Sequence, residues 1–433
     1  MTNFLQAIAA SDPDMYNLII WEQQRQTTGM EFIASENYQS AAVLHAQSTV
    51  FANKYAEWYP GKRYYWWQER TDVMESLAIK RAKKLFRSDH ANVQALSGAA
   101  ANLCIYWWLL QPWDTILWMD LTHWWHLTHG HPVTFISKIF PFVRYGMSDI
   151  ATWRIDFDAM RALALEHKPA MILAWFSAYP RELDYERFAE IAHEVGAIAM
   201  ADMSHIGWLI AWWVLKNPLD YWFHVMMTTT HKSLRWPRWA LILSKGKVSN
   251  PLKKPEDTIE NIPTRLDRSV FPGTQWWPHM HTIAGIAVAL HEAAQPDFKE
   301  YAQQTLRNAS AMADEFMCLS YSLVTWWTDN HMIILDFSAD DTLNWSIAEK
   351  TLDAIGISTS KSTIPDDPNP PFRPSWLRIG TPAMTTRWMK EDEIKIIVWL
   401  MHDAFQHCDN HDYLAWLKKE ITALSLQFPV PWL

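Results

Sequence analysis

Glycine is scarce in this sequence. The chain has 12 glycines among 433 residues, whereas average usage near 7% would give roughly 30. Tryptophan is in excess, at 28, and many tryptophans stand in adjacent pairs such as Trp66-Trp67. Adjacent side chains point apart in both helices and strands, so the pairs match neither periodicity. Two interpretations remain open: an aromatic surface that binds sugars or a membrane interface, or tryptophan at positions where the fold favours glycine.

Cysteine, long apolar runs and excess positive charge are also lacking. Cys104, Cys318 and Cys408 have no CxxC spacing, which argues against a disulfide framework or a zinc site and favours a reducing compartment. No apolar run approaches the ~18 residues of a membrane span, and the N-terminal residues lack the basic region of a signal peptide. The net charge of −9, with no basic face, argues against nucleic acid as a partner. We expect a soluble cytoplasmic protein.

Strand-like and helix-like segments alternate along the first 250 residues. The predicted strands cover 91–96, 115–119, 170–175, 197–201 and 241–244, and the predicted helices cover 72–86, 99–110 and 185–195. Asp72 is a candidate N-cap of its helix. This alternation predicts an α/β fold with a mostly parallel sheet. A helical stretch and a smaller α/β pattern follow, so we place an N-terminal arm and large domain at 1–285 and a small C-terminal domain at 286–433.

Lys232 and Asp202 follow two of the apolar runs in this part of the chain. Ligands of parallel α/β sheets bind at the carboxyl ends of strands. A lysine there can form a Schiff base with pyridoxal phosphate, and an aspartate can hold the proton on the pyridine nitrogen. Separately, Asp202 could be a turn cap and Lys232 a solvated surface charge. Together they favour a site for pyridoxal phosphate.

Two further motifs support weaker interpretations. Ser97-Gly98 joins a predicted strand to a helix, where backbone N–H groups suit a phosphate monoester, although the motif taken alone favours a plain capped helix. His123 and His126 lie in a histidine-rich loop. Short histidine spacing can bind metal, but without a neighbouring cysteine or carboxylate we expect an imidazole that stacks on a flat cofactor and no metal.

Several segments, taken in order, resemble serine hydroxymethyltransferases over nearly the whole chain. These segments are FIASENYQS, NKYAEWYPGKRYYWWQE, ANVQALSGAAAN, MDLTHWWHLTHG, FSAYPRELDYERF, ADMSHIG, TTTHKSLRWPRWALIL, VFPGTQWWPHMH, TDNHMIILD and SWLRIGTPAMTTR. The resemblance implies a fold-type-I pyridoxal phosphate transferase, similar in architecture to aspartate aminotransferase. Such an enzyme moves a hydroxymethyl group between L-serine and tetrahydrofolate and gives glycine and 5,10-methylenetetrahydrofolate. That reaction belongs to one-carbon metabolism and amino-acid biosynthesis.

The resemblance also implies roles for individual residues. Lys232 would carry the cofactor, and Arg378 would pair with the substrate carboxylate, helped by Ser35. A homodimer would share its active sites, and the neighbouring subunit would supply Tyr55, Glu57 as a proton-handling carboxylate, and Tyr65. The other cofactor contacts would be Ser97 and Gly98 at the phosphate, His126 on the ring, Asp202 at the pyridine nitrogen, Ser177 and His205 at the phenolic oxygen, and His231, Arg238 and Gly273 in support. Leu121 and Leu127 would line the folate pocket.

The departures from the family share one direction, because tryptophan stands where glycine is usual. The positions are Trp58, Trp66, Trp67, Trp113, Trp118, Trp124, Trp125, Trp153, Trp175, Trp208, Trp236, Trp239, Trp276, Trp277, Trp326, Trp327, Trp376 and Trp388. A strained left-handed conformation costs about 1–3 kcal/mol at a non-glycine residue. Positive φ at Trp66, Trp125 and Trp276 would identify glycine sites under strain. We expect the pair at 276–277 to crowd the cofactor phosphate and the pair at 124–125 to fill the folate pocket.

Three hypotheses follow from the sequence. The first is a complete serine hydroxymethyltransferase. The second is a pyridoxal phosphate enzyme that cleaves 3-hydroxy amino acids without folate. The third is a non-catalytic chain that keeps the pattern of the fold without assembling a site.

Overall fold

The computed structural model describes residues 2–119, 129–131, 133–149, 154–175, 177–246, 262–338, 343–362 and 376–432. The helices are α1 (Thr2–Ser11), α2 (Pro13–Thr28), α3 (Ala41–Gln47), α4 (Glu69–Phe86), α5 (Gly98–Leu109), α6 (Phe157–His167), α7 (Tyr185–Glu194), α8 (Gly207–Ala211), α9 (Ile262–Arg268), α10 (Met280–Glu292), α11 (Pro296–Cys318), α12 (Trp345–Ala354), α13 (Pro382–Thr386), α14 (Glu391–Gln406) and α15 (His411–Gln427). The strands are β1 (Met30–Glu31), β2 (His90–Asn92), β3 (Ile116–Met119), β4 (Phe142–Tyr145), β5 (Met147–Asp149), β6 (Arg154–Ile155), β7 (Met171–Trp175), β8 (Ile198–Asp202), β9 (Val225–Thr229), β10 (Ala240–Ser244), β11 (Ser322–Leu323), β12 (Met332–Asp336), β13 (Ile357–Ser358), β14 (Ser360–Ser362) and β15 (Trp376–Gly380).

A seven-stranded sheet forms the centre of the larger part of the chain. Its order is β2-β10-β9-β8-β7-β3-β4. The neighbours from β9 to β4 pair in parallel, and β10 runs antiparallel to both β9 and β2. Strands β7, β8 and β9 are almost continuously apolar and buried, as expected for parallel strands covered on both faces. The predicted α/β architecture is confirmed.

A second sheet has the order β11-β12-β15-β14 and is antiparallel throughout. One hydrophobic core surrounds the seven-stranded sheet, and another surrounds this smaller sheet. The second core includes Met30, Phe32 and Tyr38 from the N-terminal part of the chain. Helix α14 (Glu391–Gln406) also packs there, and no segment of the sequence was singled out for it. The boundary between residues 285 and 286 stays a prediction.

The helix predicted over 72–86 begins earlier than expected. It starts at Glu69, with Gln68 at the N-cap position, so the expectation that Asp72 is the cap is wrong. The Asp72 carboxylate lies within the helix and accepts hydrogen bonds from Gly61 N at 2.8 Å and from Arg63 Nε at 2.9 Å. It therefore holds the preceding loop against the helix instead of satisfying an N–H group at the helix start.

Positive φ occurs at seven tryptophans among the described residues. They are Trp58 (76°), Trp67 (66°), Trp113 (74°), Trp213 (58°), Trp222 (67°), Trp326 (59°) and Trp388 (70°). Trp66 and Trp276 do not have positive φ, so this sign of a strained glycine site is not found there, and Trp125 lies outside the described residues. Tight turns place none, one or two residues in the left-handed conformation, depending on the turn type. Near the pair 326–327, for example, Thr325 (66°) and Trp326 have positive φ and Trp327 is extended, with a φ of −168°.

Other tryptophans are buried in the two cores. Trp118 in β3, Trp208 in α8, Trp236 in the loop after Lys232 and Trp376 in β15 are each at most 2% exposed. Some described tryptophans thus lie in turns with left-handed backbone and others in packed interiors, while Trp21 and Trp399 are exposed on helices.

Candidate functional site

Two adjacent parallel strands bring Asp202 and Lys232 to the same edge of the large sheet. Asp202 is the last residue of β8, and Lys232 lies three residues beyond the end of β9. Thr230 N donates to Trp239 O at 3.0 Å and Trp236 N donates to Thr230 O at 3.1 Å, which closes the loop that carries the lysine. The predicted placement of both residues at strand ends is confirmed.

The Lys232 side chain is half-buried and lies in a mixed electrostatic environment. Burial lowers the pKa of its amine from the usual 10.5 to about 8, while the Asp202 carboxylate raises it and the Arg378 guanidinium lowers it. Loss of hydration disfavours the ammonium form, and a neutral amine is the nucleophilic form. The site therefore contains a lysine suited to attack on an aldehyde.

The Asp202 carboxylate is held at both oxygens. Its Oδ1 accepts from Ser204 N at 3.0 Å and from Ser204 Oγ at 2.5 Å. Its Oδ2 lies 2.9 Å from His129 Nε2. Hydrogen bonds to both oxygens favour the ionised form and fix the plane of the carboxylate. A fixed anion of this kind suits a cationic ring N–H.

The N-terminus of α5 lies against the end of β9. Ser97 caps the helix, and its Oγ accepts from Ala100 N at 3.2 Å. A Cβ atom at Gly98 would come within 2.6 Å of Thr229 Cγ2, so only glycine permits this approach of helix to strand. The first-turn N–H groups and the positive end of the helix dipole favour an anion at this point.

Arg378 reaches the large sheet from β15 of the small one. Its Nη1 donates to Ser177 O at 2.7 Å and its Nε donates to Ser360 Oγ at 3.1 Å. Burial lowers the pKa of the guanidinium to about 10. These bonds leave further guanidinium N–H groups for a carboxylate. Ser35 is half-buried and follows Ala34 in the chain. The backbone at Ala34 packs closely on Gly380, two residues beyond Arg378, because a Cβ added to this glycine would lie 2.5 Å from Ala34 Cα.

Two imidazoles, His231 and His331, lie close enough to Lys232 for its charge to lower their pKa, and a third, His205, lies beside His331. His205 is buried and stacks on His331, with ring centroids 5.9 Å apart and an interplanar angle of 19°. Burial lowers the pKa of His331 to about 3, and its Nε2 lies 3.2 Å from Ala34 O. Burial, followed by the charges of Lys232 and Arg238, lowers the pKa of His231 to about 4. His231 and His331 are therefore neutral near pH 7.

The residues around Lys232 fit a polar cofactor. In the part of the chain that the structure describes, Ser233 Oγ, His231 Nδ1 and His331 Nδ1 are buried and have no hydrogen-bond partner. Buried polar atoms are nearly always paired in native proteins, so these atoms suit a ligand rich in hydrogen-bonding groups. With the lysine, the carboxylate and the helix N-terminus, they match the functional groups of pyridoxal phosphate.

A second cluster holds the residues expected from a neighbouring subunit. Glu57 is buried, whereas Tyr55 and Tyr65 are 44% and 53% exposed. The Tyr55 ring lies 5.6 Å from the Tyr65 ring and 5.1 Å from the Trp277 ring. Trp277 belongs to the segment 271–277, which also contains Gly273. The backbone packs tightly at this glycine, because an added Cβ would lie 2.8 Å from Arg268 O. Within one chain, Tyr55 packs against Tyr65 and Trp277.

Three predicted site residues, Leu121, His126 and Leu127, lie outside the described residues, as does the pair at 124–125. Arg238 is exposed. Sequence reasoning missed His129 and His331 as members of the site. The available signal for His129 was its place in the same histidine-rich loop as His123 and His126, the two histidines named as candidates.

Within the described ranges, no group of three or more histidine, cysteine, aspartate or glutamate side chains is placed to hold a metal ion. None of the described helices combines the length and apolar character needed to cross a bilayer. The three cysteines are free thiols, with Cys104 buried and Cys318 exposed.

Known proteins match the chain along almost its full length. The family model for serine hydroxymethyltransferase matches residues 8–401. The chain belongs to the serine hydroxymethyltransferase family. It is 44% identical over 424 residues to a serine hydroxymethyltransferase of Acidobacterium capsulatum, a match that covers 98% of this chain and 95% of the relative. As a member of this family it is a pyridoxal-phosphate-dependent transferase that moves a hydroxymethyl group between L-serine and tetrahydrofolate.

Proposed function

We propose that Lys232, Asp202 and Arg378 form the centre of the hydroxymethyltransferase site. The main support for this proposal is the half-buried Lys232 amine, whose pKa is lowered to about 8. The charges of both Asp202 and Arg378 act on this amine. At neutral pH a far larger fraction of this amine is neutral than for an ordinary lysine. Arg378 supplies positive charge for the serine carboxylate, in the bidentate geometry that guanidinium groups favour, and Ser35 assists it.

The cofactor-binding role is divided among several elements. Pyridoxal phosphate, when bound, acts as an electron sink for charge that develops on the substrate α-carbon. Asp202 would hold the proton on the pyridine nitrogen, and Ser97 and Gly98 would bind the phosphate at the N-terminus of α5. The remaining contacts would be His126 on the ring, Ser177 and His205 at the phenolic oxygen, and His231, Arg238 and Gly273 in supporting positions.

The serine hydroxyl and the folate require a proton-handling carboxylate, which we assign to Glu57. Leu121 and Leu127 would line the folate pocket. The partner subunit's Glu57 would complete the site, together with Tyr55 and Tyr65 of the same loop, and the packing of Tyr55 against Tyr65 and the exposed Trp277 supports an interface there. The chain would therefore act as a homodimer with shared active sites.

An exposed aromatic surface supports the dimer. Trp66 and Trp67 are 86% and 85% exposed, and Trp276 and Trp277 are 56% and 50% exposed. Exposed apolar patches of this kind mark interaction surfaces, and this one lies beside Tyr55 and Tyr65. We further propose that the chain divides at residue 285 into a large cofactor domain and a small domain, and that it resides in the cytoplasm, where its three thiols stay reduced.

Conversion of serine to glycine, with and without tetrahydrofolate, tests the proposed function. The purified protein with pyridoxal phosphate should convert serine in the presence of folate, and the Lys232→Ala variant should lose this activity by several orders of magnitude. The Lys361→Ala variant, at an exposed position, is the matched control. Cleavage of 3-hydroxy amino acids without folate-dependent turnover would instead identify the second hypothesis, and inactivity of the parent protein in both assays would refute the catalytic assignment.

A further inference from the structure

A line of buried polar side chains extends from Asp202 away from Lys232. His129 Nε2 lies 2.9 Å from Asp202 Oδ2, and Tyr106 Oη lies 2.5 Å from His129 Nδ1. Tyr106 and His129 are fully buried, and Asp202 is 2% exposed. The tyrosine comes from α5, the helix whose N-terminus begins at Gly98. One helix therefore contributes to the proposed phosphate site at its start and to the hydrogen bonds behind Asp202 two turns later.

The short contact between His129 and Asp202 determines where the imidazole proton lies. A lone pair on Nε2 would face a carboxylate oxygen at 2.9 Å, and this contact would be repulsive. A proton on Nε2 turns the same contact into a charge-assisted hydrogen bond. His129 therefore donates from Nε2 to Asp202.

Tyr106 determines the state of the other ring nitrogen. Burial, followed by the charge of Asp202, raises the pKa of the Tyr106 hydroxyl well above its usual value, so the hydroxyl keeps its proton. Among the described residues, His129 Nδ1 is the acceptor that the structure gives this buried O–H. If Nδ1 also carried a proton, the tyrosine O–H would lose that acceptor, and a buried unsatisfied donor is costly.

Two aromatic rings fix the imidazole in place. The ring of Trp175 lies 5.5 Å from the His129 ring, and that of Trp118 lies 6.4 Å from it. Asn102 Nδ2 donates to Asp202 Oδ2 at 3.4 Å, so a second side chain holds the same carboxylate oxygen. The imidazole thus has two aromatic rings beside it and a hydrogen-bond partner at each nitrogen, and such contacts fix the orientation of a side chain that positions another.

We propose that His129 is a positioning residue for Asp202, held in its neutral Nε2–H tautomer by the hydroxyl proton of Tyr106. Through this hydrogen bond, Tyr106 and His129 keep the Asp202 carboxylate ionised and correctly oriented for the pyridine nitrogen of the cofactor. The effect on the cofactor rests on the proposed role of Asp202. The tautomer does not, because it is a property of the protein without cofactor.

Nitrogen NMR of the cofactor-free protein, labelled with [15N]histidine, tests the tautomer directly. The His129 signals are identified by their loss in a His129→Gln variant. The expected result is one protonated nitrogen, Nε2, and one unprotonated nitrogen, Nδ1. Tyr106→Phe should keep the proton on Nε2, which faces Asp202, and should allow partial protonation of Nδ1, which no longer accepts from the tyrosine hydroxyl. Two protonated nitrogens in the parent protein, or a proton on Nδ1 alone, would overturn the proposal even if Tyr106→Phe fails to fold.

Cofactor affinity provides the second readout. Tyr106→Phe should raise the dissociation constant of pyridoxal phosphate about two- to tenfold, the effect of one lost hydrogen bond. Tyr145→Phe is the matched control, because Tyr145 is also buried and its hydroxyl donates to Leu173 O at 3.0 Å. The control should leave both the His129 signals and the affinity as in the parent protein.

A double-mutant cycle separates positioning from a merely structural role. In the His129→Gln background, Tyr106→Phe should have no further effect on affinity, because the connection is already broken. Fully additive losses would contradict the proposal. Asp202→Ala tests the cofactor-binding role of Asp202 separately from the tautomer of His129. If this variant binds the cofactor as the parent protein does, the proposed function fails, while the NMR result for the parent protein still decides the tautomer.

Discussion

Arg378 Nη1 donates a hydrogen bond to Ser177 O at 2.7 Å. This bond joins β15 of the small sheet to the segment that follows β7 of the large one. The guanidinium is thereby fixed near Lys232, close enough that its charge lowers the pKa of the lysine. Arg378, from the small sheet, thus lowers the pKa of the Lys232 amine, which lies at the edge of the large sheet.

Replacement of Arg378 by lysine should weaken serine binding. Lysine keeps the charge but cannot reproduce the planar fork that bonds Ser177 and Ser360 while it pairs with a carboxylate. We expect the KM for serine to rise roughly 10- to 100-fold, as for the loss of one charge-assisted hydrogen bond, with a smaller effect on the KM for tetrahydrofolate. Steady-state kinetics measure both. The control is Arg181→Lys, at a partly exposed arginine that pairs with Asp329 at 2.8 Å; an equal effect in the control would refute the assignment.

The reactivity of Lys232 should depend on pH with a midpoint near 8, the value to which its pKa is lowered. Acetylation of the cofactor-free protein, followed by mass spectrometry of the Lys232 peptide, measures this midpoint. Because the Asp202 carboxylate raises the pKa of the lysine, Asp202→Asn should move the midpoint to lower pH. A midpoint near 10.5 in the parent protein, or an upward shift in the variant, would contradict the electrostatic account.

Part of this site could be predicted from a single sequence. The apolar runs before Asp202 and Lys232 indicated two strands, and residues at the carboxyl ends of parallel strands meet at one edge. The pairing of His129 with Asp202 could not be predicted, because it joins residues 73 positions apart with no local pattern. The sequence also could not show that Trp67, and not Trp66, has positive φ, because the contacts of the folded chain decide which residue of the pair is left-handed.

Replacement of Trp388 by glycine should stabilise the protein. Trp388 has a φ of 70° and is 74% exposed, so glycine relieves backbone strain with little loss of packing. We expect the free energy of unfolding to rise by about 1 kcal/mol, measured by urea denaturation. Trp21→Gly is the matched control, because Trp21 is 72% exposed but lies within α2, where glycine should destabilise by roughly 0.5 kcal/mol. The same sign for both variants would refute the strain argument.

Acid should destabilise the fold through His331. Burial lowers its folded-state pKa from 6.5 to about 3, so between these pH values the unfolded chain binds a proton that the folded chain does not. The free energy of unfolding should therefore fall as pH falls through this window, by up to about 1.4 kcal/mol per pH unit from this group.

The variant His331→Gln keeps an N–H donor but removes the titration. Its unfolding free energy, measured at several pH values between 6.5 and 4.5, should depend less steeply on pH than that of the parent protein. His411→Gln, at an exposed position, controls for the loss of one histidine. Identical slopes for the parent protein and His331→Gln would show that His331 does not contribute.

The central claim is that Lys232 holds the cofactor. The most direct measurement is to incubate the protein with pyridoxal phosphate, reduce it with borohydride so that the cofactor is fixed to the amine that bound it, and locate the modified lysine by mass spectrometry. We predict one modified residue per chain, at Lys232. Modification spread over surface lysines, with Lys232 unmodified, would contradict the claim.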